Sequence, residues 1–518
     1  MLTFKSTLPL LAAVTTVGGI CAFDVGATLI AAPATVAVSP RFEPSPCPFT
    51  PAPDQVEGRT LECGVVLVPE DRRRPTVTWI QLAVAVFRSP VAATRPPLVF
   101  LGGGPGTSIL ERFGPGVSGS FARDLTDGRD FVVFDQRGVG FSRPSLSCAE
   151  LIDLKYRTIG SRQTREQETE DTVRAAFACR DRLLASGIEL AAYTTAANAA
   201  DVNDIRIALG YDQLDVWGLS YGTRLGLAVA QQFPEIVHSL VLESALPPSV
   251  NQVEDRAANT ERAFRALFDG CAADAVCASA YPGLETLFYD LVAELNVTPA
   301  TYLAQHPRTG AIYQVVLTGD RLVRTLSEAL TDAALIPYIP LVAASIRAGD
   351  FTLMSQATSL LTFDDGSSQA MFYSVNCGDM VSRTSAAQVF AAQRTVRAEI
   401  ASAMSEDARL RICAGWGATE PPRDAASPVV STVPTLILAG EYDPRTPPAY
   451  AEIAGRTLRN SRWFTFPGIG HFITRLSPCA HSMMIDFLAD PALTPDASCI
   501  ADMGPPAWVI PALTRSPL

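Results

Sequence analysis

No extended block of lysine and arginine occurs in the 518 residues, and the formal net charge is -12. Nucleic acid and anionic membrane surfaces both need a basic face, so neither is expected as a partner. The chain also lacks the roughly 20 uninterrupted apolar residues of a spanning helix. Its apolar run from Leu8 to Ile20 is followed by Asp24, and no stable membrane insertion is expected. There is no C-x-x-C pair and no clustering of Cys and His at ligand spacing, so no metal centre is expected and no cofactor is called for. Histidine is scarce. Any chemistry that needs an imidazole must choose among four, His238, His306, His471 and His481.

What is abundant is apolar side chain, 48% of the residues, enough at this length for a large core and more than one catalytic domain requires. Lys5, the apolar run and the small residues from Ala27 to Ala34 resemble a secretory signal over residues 1–34. Cys21 would fit a lipoprotein signal if a small residue preceded it, but Ile20 stands there. Of the 11 cysteines, ten lie beyond this leader. An even number in a secreted or periplasmic chain predicts disulfides, here between neighbours in chain order, although spacing does not fix the connectivity.

Gly218-Leu219-Ser220-Tyr221-Gly222 follows the apolar run Leu214-Asp215-Val216-Trp217 and opens onto a helical stretch. Strand, G-x-S-x-G and helix in that order are the context of a nucleophile elbow, where the sharp turn leaves no room for Cβ atoms beside the serine. Upstream, Pro97-Leu98-Val99-Phe100-Leu101 runs into Gly102-Gly103-Gly104-Pro105-Gly106. A loop so free of side chains can aim an amide at a developing oxyanion. Gly104 is the expected donor there, with the amide of Tyr221, the residue after the nucleophile, as the second. Alone, the loop also reads as a glycine-rich surface turn. A further strand leads into Asp135-Gln136-Arg137-Gly138-Val139-Gly140-Phe141-Ser142, read as an internally hydrogen-bonded scaffold beside that loop.

The acid and the histidine should follow in that order. The apolar run 433–440 ends in Glu441-Tyr442-Asp443-Pro444, and Asp443 is the favoured acid, with Glu441 and Glu243 as rivals. His471 lies in the glycine-bounded loop Pro467-Gly468-Ile469-Gly470-His471 after a short strand, a setting that the other three histidines lack.

Together, Gly103-Gly104-Pro105-Gly106, the Asp135 loop, Gly218-x-Ser220-Tyr221-Gly222, Gly440-Glu441-x-Asp443-Pro444-x-Thr446-Pro447 and Gly470-His471 resemble the proline iminopeptidase and tripeptidyl aminopeptidase group of α/β-hydrolases. The resemblance spans about residue 61 to the C-terminus. Gly102 stands where proline iminopeptidases have histidine, which moves the chain towards the tripeptidyl branch, as does Cys413-Ala414-Gly415-Trp416. The resemblance implies an α/β fold with a mostly parallel central sheet flanked by helices, a large helical cap, and a secreted serine exopeptidase that works through Ser220, Asp443 and His471. Its substrates would be peptides with a free N-terminus, and small esters or amides under the alternative of a carboxylesterase or amidase with the same triad. Recognition of the α-amino group needs a carboxylate. Glu243 and Asp379 are the candidates, the latter in Cys377-Gly378-Asp379, which resembles a C-x-D element of the tripeptidyl branch. A third reading, a non-catalytic binding protein on the same fold, conflicts with the co-occurrence of all three triad residues.

The expected organisation is a proline-rich arm over 35–60, a hydrolase core over 61–247 and 429–518, and the helical cap over 248–428. A first hairpin is expected at 64–68 and 80–87, core helices at 171–185 and 199–209, and cap helices at 261–268, 284–295, 321–330 and 385–404.

Overall fold

The computed structural model describes residues 40–74, 78–363, 365–421 and 423–510; the leader over 1–34 lies outside them. In chain order the strands are β1 (Phe42–Pro44), β2 (Leu61–Pro69), β3 (Trp79–Phe87), β4 (Leu98–Leu101), β5 (Phe131–Phe134), β6 (Leu214–Leu219), β7 (Val237–Glu243), β8 (Ala300–Gln305), β9 (Ile312–Leu317), β10 (Thr435–Gly440) and β11 (Ser461–Phe466). Nine of them form one sheet in the order β1-β2-β3-β5-β4-β6-β7-β10-β11. The first three pairings are antiparallel, and those from β5 to β11 are all parallel. The mostly parallel α/β sheet that the motifs implied is therefore present.

Strands covered by helices on both faces need apolar side chains on both, which is why β4, β5 and β10 are buried at every position. Alternation divides their side chains between two cores. Val99, Leu101, Val132, Phe134, Ile437 and Ala439 pack with residues of the helices Thr195–Leu209, Tyr221–Gln232 and Pro448–Gly455. Leu98, Phe100, Phe131, Val133, Leu436 and Leu438 pack with the helices Gly119–Thr126 and Pro478–Ala489.

Between β7 and β10 the chain leaves the sheet for a run of helices, from Gln252–Ala273 to Asp407–Trp416, with an apolar core around Phe264, Leu267, Phe288, Val292, Leu322 and Leu326. Two departures from the sequence reading occur here. β8 and β9 form an antiparallel hairpin, with alternate residues of β8 and the last three of β9 buried, within what reads as helical territory. The expected helix over 385–404 is two, Ala386–Gln393 and Ala398–Ala403. Between them the amide of Arg397 donates to Glu261 Oε1 at 2.8 Å and its guanidinium stacks 3.7 Å from the Tyr289 ring centre. Those tertiary contacts outweigh the helical propensity of the segment.

Five disulfides join Cys47 to Cys63, Cys148 to Cys179, Cys271 to Cys277, Cys377 to Cys413 and Cys479 to Cys499, neighbours in chain order as expected. Among the described residues no helix is long and apolar enough to cross a membrane.

Candidate active site

β6 ends at Leu219, and Ser220 turns the chain directly into the helix Tyr221–Gln232. Its backbone has φ 59° and ψ -122°, a conformation that costs a residue with a Cβ about 1–3 kcal/mol. Neighbours hold the strained turn. The amide of Ser220 donates to Glu243 O at 2.9 Å, and its carbonyl accepts from Thr223 N at 2.9 Å and Thr223 Oγ1 at 2.6 Å. The flanking glycines are obligatory for a steric reason. A Cβ on Gly218 would stand 2.4 Å from Gly222 O, and one on Gly222 would stand 1.8 Å from Leu101 O.

The glycine loop after β4 lies against this elbow. The nearest approach is at Gly103, where a Cβ would meet Ser220 Cβ at 3.0 Å, whereas a Cβ on Gly104 would meet Gly106 and Thr107 of its own loop. Among the described residues, the amides of Gly103, Gly104 and Tyr221 donate to no acceptor. Of the loop residues, Gly103 rather than the expected Gly104 is thus the one whose Cβ would meet Ser220. Buried Asp135 braces it from behind, accepting from Ile109 N, Leu110 N, Ser108 Oγ and Phe141 N at 2.7–3.1 Å, while Gln136 Nε2 donates to Gly102 O at 2.9 Å. Arg137, fully buried, donates to Asp201 and to the carbonyls of Pro69, Glu70 and Ala192. This is the scaffold expected of that motif.

The structure brings Asp443 and His471 together. His471 is 1% exposed, and its Nδ1 lies 2.7 Å from Asp443 Oδ2. The other oxygen of Asp443 accepts from Arg445 N at 2.8 Å and Thr446 N at 3.1 Å. Burial alone would raise the carboxyl's pKa, but the imidazole and these donors outweigh it and hold it at about 2. A charged Asp443 fixes the Nδ1–H tautomer and leaves Nε2 as the acceptor. Thr446, three residues on from Asp443, adds a hydroxyl 2.6 Å from Asp443 Oδ2 and 3.1 Å from His471 Nδ1. Nothing in the sequence singles it out beyond its place in the Asp443 motif. Ser220 and His471 make no hydrogen bond to each other; such contacts commonly close only around bound substrate.

The insertion grips both of these loops. Thr331 O accepts from His471 N at 2.7 Å and Phe472 N at 3.3 Å, and a Cβ on Gly470 would stand 2.2 Å from Leu330 O. Arg262, on the Gln252–Ala273 helix, donates through Nη1 to Glu441 O at 2.8 Å and through Nη2 to Asp443 O at 2.5 Å. Only a planar fork spans two carbonyls in this way. Arg262→Met is therefore expected to lower kcat about 10²-fold with little change in KM, because it loosens the acid without touching a substrate pocket. Steady-state kinetics with and without added methylguanidine, which should restore part of kcat, checks this.

Glu243 does not stand where a substrate or His471 could use it. It is 2% exposed, and its oxygens accept from Trp217 Nε1, Ile473 N, Thr474 N and Thr474 Oγ1 at 2.6–3.0 Å. Burial raises its pKa while those donors oppose the shift. It anchors the segment after His471, which corrects the substrate-binding reading: a strand-end carboxylate filled by four donors has no free lone pair to offer. Glu441 likewise holds Gly468 N at 2.9 Å. The remaining histidines pair elsewhere, His238 with Asp215, His306 with Asp365 and His481 with Asp124. Asp379 accepts from Thr195 Oγ1 at 2.6 Å through Oδ2, which also lies 3.6 Å from Arg224 Nε. Among the described residues the one metal-like cluster is Cys148, Glu150 and Cys179, and both its sulfurs are spent in a disulfide.

The alpha/beta hydrolase fold family matches residues 96–474. Serine protease Hip1 of Mycobacterium tuberculosis is 29% identical over 457 residues, covering 83% of this chain and 85% of that protein. Tripeptidyl aminopeptidase of Streptomyces lividans is 34% identical over 204 residues, 38% of this chain and 37% of that protein. Carboxylesterase B of Mycobacterium tuberculosis is 28% identical over 470 residues, covering 85% and 86%.

Proposed function

The chain belongs to the alpha/beta hydrolase fold family, and from that premise we propose that it is a serine exopeptidase releasing residues or short peptides from a free N-terminus. The observation that carries the reading is the buried Asp443–His471 pair, 2.7 Å apart, in loops that, like the strained Ser220 elbow, follow the carboxyl ends of parallel strands of one sheet. Ser220 attacks the scissile carbonyl, and His471 takes its proton and returns it to the leaving amine. Asp443 stabilises the imidazolium. The unpaired amides of Tyr221 and of Gly103 or Gly104 receive the oxyanion. Water then resolves the acyl-enzyme.

The helical segment 248–428 is read as a cap on the core formed by 61–247 and 429–518, with residues 35–60 as an arm. Asp379 is the remaining candidate for the α-ammonium, because its Oδ1 makes no hydrogen bond among the described residues. Export of the chain to an oxidising compartment is supported by five disulfides.

The similarity to a protein named carboxylesterase favours a second reading, hydrolysis of simple esters or amides. Chromogenic peptides with free and with blocked N-termini, assayed beside short acyl esters, separate the two. Faster cleavage of the free peptides is expected; equal rates for free and blocked peptides, with faster ester hydrolysis, would reject the exopeptidase.

A further inference from the structure

Arg224 sits four residues beyond Ser220 on the same helix, and side chains on a helix lean towards its N-terminus, the end that presents the nucleophile. It is 4% exposed. Its Nη2 donates to Pro248 O at 3.1 Å, and Arg383 Nη1 donates to the same carbonyl at 2.9 Å. Arg383 Nε also donates to Asp379 O, and the Asp379 carboxylate lies 3.6 Å from Arg224 Nε. Two guanidinium groups, one from the nucleophile helix and one from the insertion, thus converge on the Pro248 carbonyl and flank Asp379, Arg224 at its carboxylate and Arg383 at its backbone carbonyl, with Glu254 adding a negative charge that Arg383 feels beyond these contacts.

Two buried guanidinium nitrogens of this cluster, Arg224 Nη1 and Arg383 Nη2, lack a partner among the described residues, as does Oγ1 of the next residue in the chain, Thr384. A guanidinium only donates, so what completes the cluster must bring acceptors. A buried donor left unsatisfied forfeits the hydrogen bonds that water would have given it, and the loss is greater when the donor is charged. Asp379 offsets one of the two local cations and Glu254 acts on the other from farther off, so it is the orphan donors rather than net charge that call for a ligand. A carboxylate would meet that need, since it offers two oxygens to two charged donors.

We propose that Arg224 and Arg383, with Thr384, form a subsite for a substrate carboxylate, so that peptides carrying an acidic side chain in the segment bound beside Ser220 are preferred. With Asp379 alongside, the cluster suits a substrate that brings an ammonium and a carboxylate together. The subsite rests on the reading of Ser220 as nucleophile, and the test separates the two.

Matched chromogenic peptides that differ only by Glu against Gln at the first, second or third residue before the scissile bond measure the preference with isosteres. At one of these positions Glu is expected to raise kcat/KM about tenfold or more. Arg383→Gln should bring that ratio close to one; Arg224→Gln should do the same, with folding checked by thermal melting. Calorimetry of the same peptides on Ser220→Ala reads binding without turnover, and the Glu peptide should bind about tenfold tighter. Equal kcat/KM for Glu and Gln at every position, from an enzyme that does cleave them, would overturn the subsite and leave water as the partner of the orphan donors. Absence of cleavage and of fluorophosphonate labelling would instead remove the nucleophile assignment. In that event the calorimetric comparison alone decides the subsite.

Discussion

Ser220→Ala is expected to lower kcat by a factor of the order of 10⁶ and to abolish labelling by a fluorophosphonate, while binding short peptides as the parent does. His471→Ala should cost about as much. The double variant should be hardly worse than either, because the two residues act as a unit. Asp443→Asn is expected to lose about 10⁴, since an amide would favour the wrong imidazole tautomer. Asp443 is held at about 2, so it stays charged through neutral and mildly acidic pH and contributes no limb to the rate profile there. Its folded pKa lies below the unfolded value of about 3.9, so the stability it lends is present above that value and lost as pH falls towards 2. A glycine at 220 makes a sharper test of the elbow. Ser220→Gly should be as inactive as the alanine variant yet more stable by about 1 kcal/mol or more, because glycine adopts φ 59° without strain. Equal melting temperatures for the two variants, or turnover retained in Ser220→Ala, would count against a strained nucleophile.

The second large effect is expected from a single methyl group. Gly222→Ala would place a Cβ 1.8 Å from the carbonyl oxygen of Leu101 and within 3.1 Å of Gly102 O. Neither contact can be relieved by a rotamer change, because both partners are backbone at the root of the glycine loop. The helix and the loop must move apart. The loss of stability should reach or exceed the upper end of the roughly 1–3 kcal/mol that overpacking commonly costs. The separation opens between Ser220 and the amides meant for the oxyanion, so kcat should fall about 10²–10³-fold even in the folded fraction. Urea denaturation, with kinetics corrected for active sites titrated by a covalent probe, measures both. A variant with parental stability and turnover would show that the two segments are not in contact.

Much of this site is readable in the chain. Each of the Ser220, Asp443 and His471 motifs is local, an apolar run followed within a few residues by glycine, and local patterns survive without knowledge of the neighbours. For the same reason the strands β4, β5 and β10 are legible as continuous apolar runs. What is not legible depends on partners distant in sequence. Glu243 ends a strand as a catalytic acid might, and only the arrival of Thr474 and Ile473 shows its lone pairs to be filled. Arg262 is one cation among several on its helix until the Glu441–Asp443 turn lies beneath it. The β8–β9 hairpin is obscured by short strands within helical surroundings, where alternation over six residues is easily lost.

The five cysteine pairs span 6 to 36 residues, and none encloses or overlaps another. Each bond can therefore form as soon as its second thiol emerges during synthesis, with no earlier sulfur of these five pairs waiting for a distant mate. Vectorial oxidation in chain order yields the native set directly, and a thiol isomerase has little to correct. Because no sulfur bridge among the described residues crosses from the 252–416 helices to the sheet, docking of those two parts is left to non-covalent contacts such as Arg262 and Thr331.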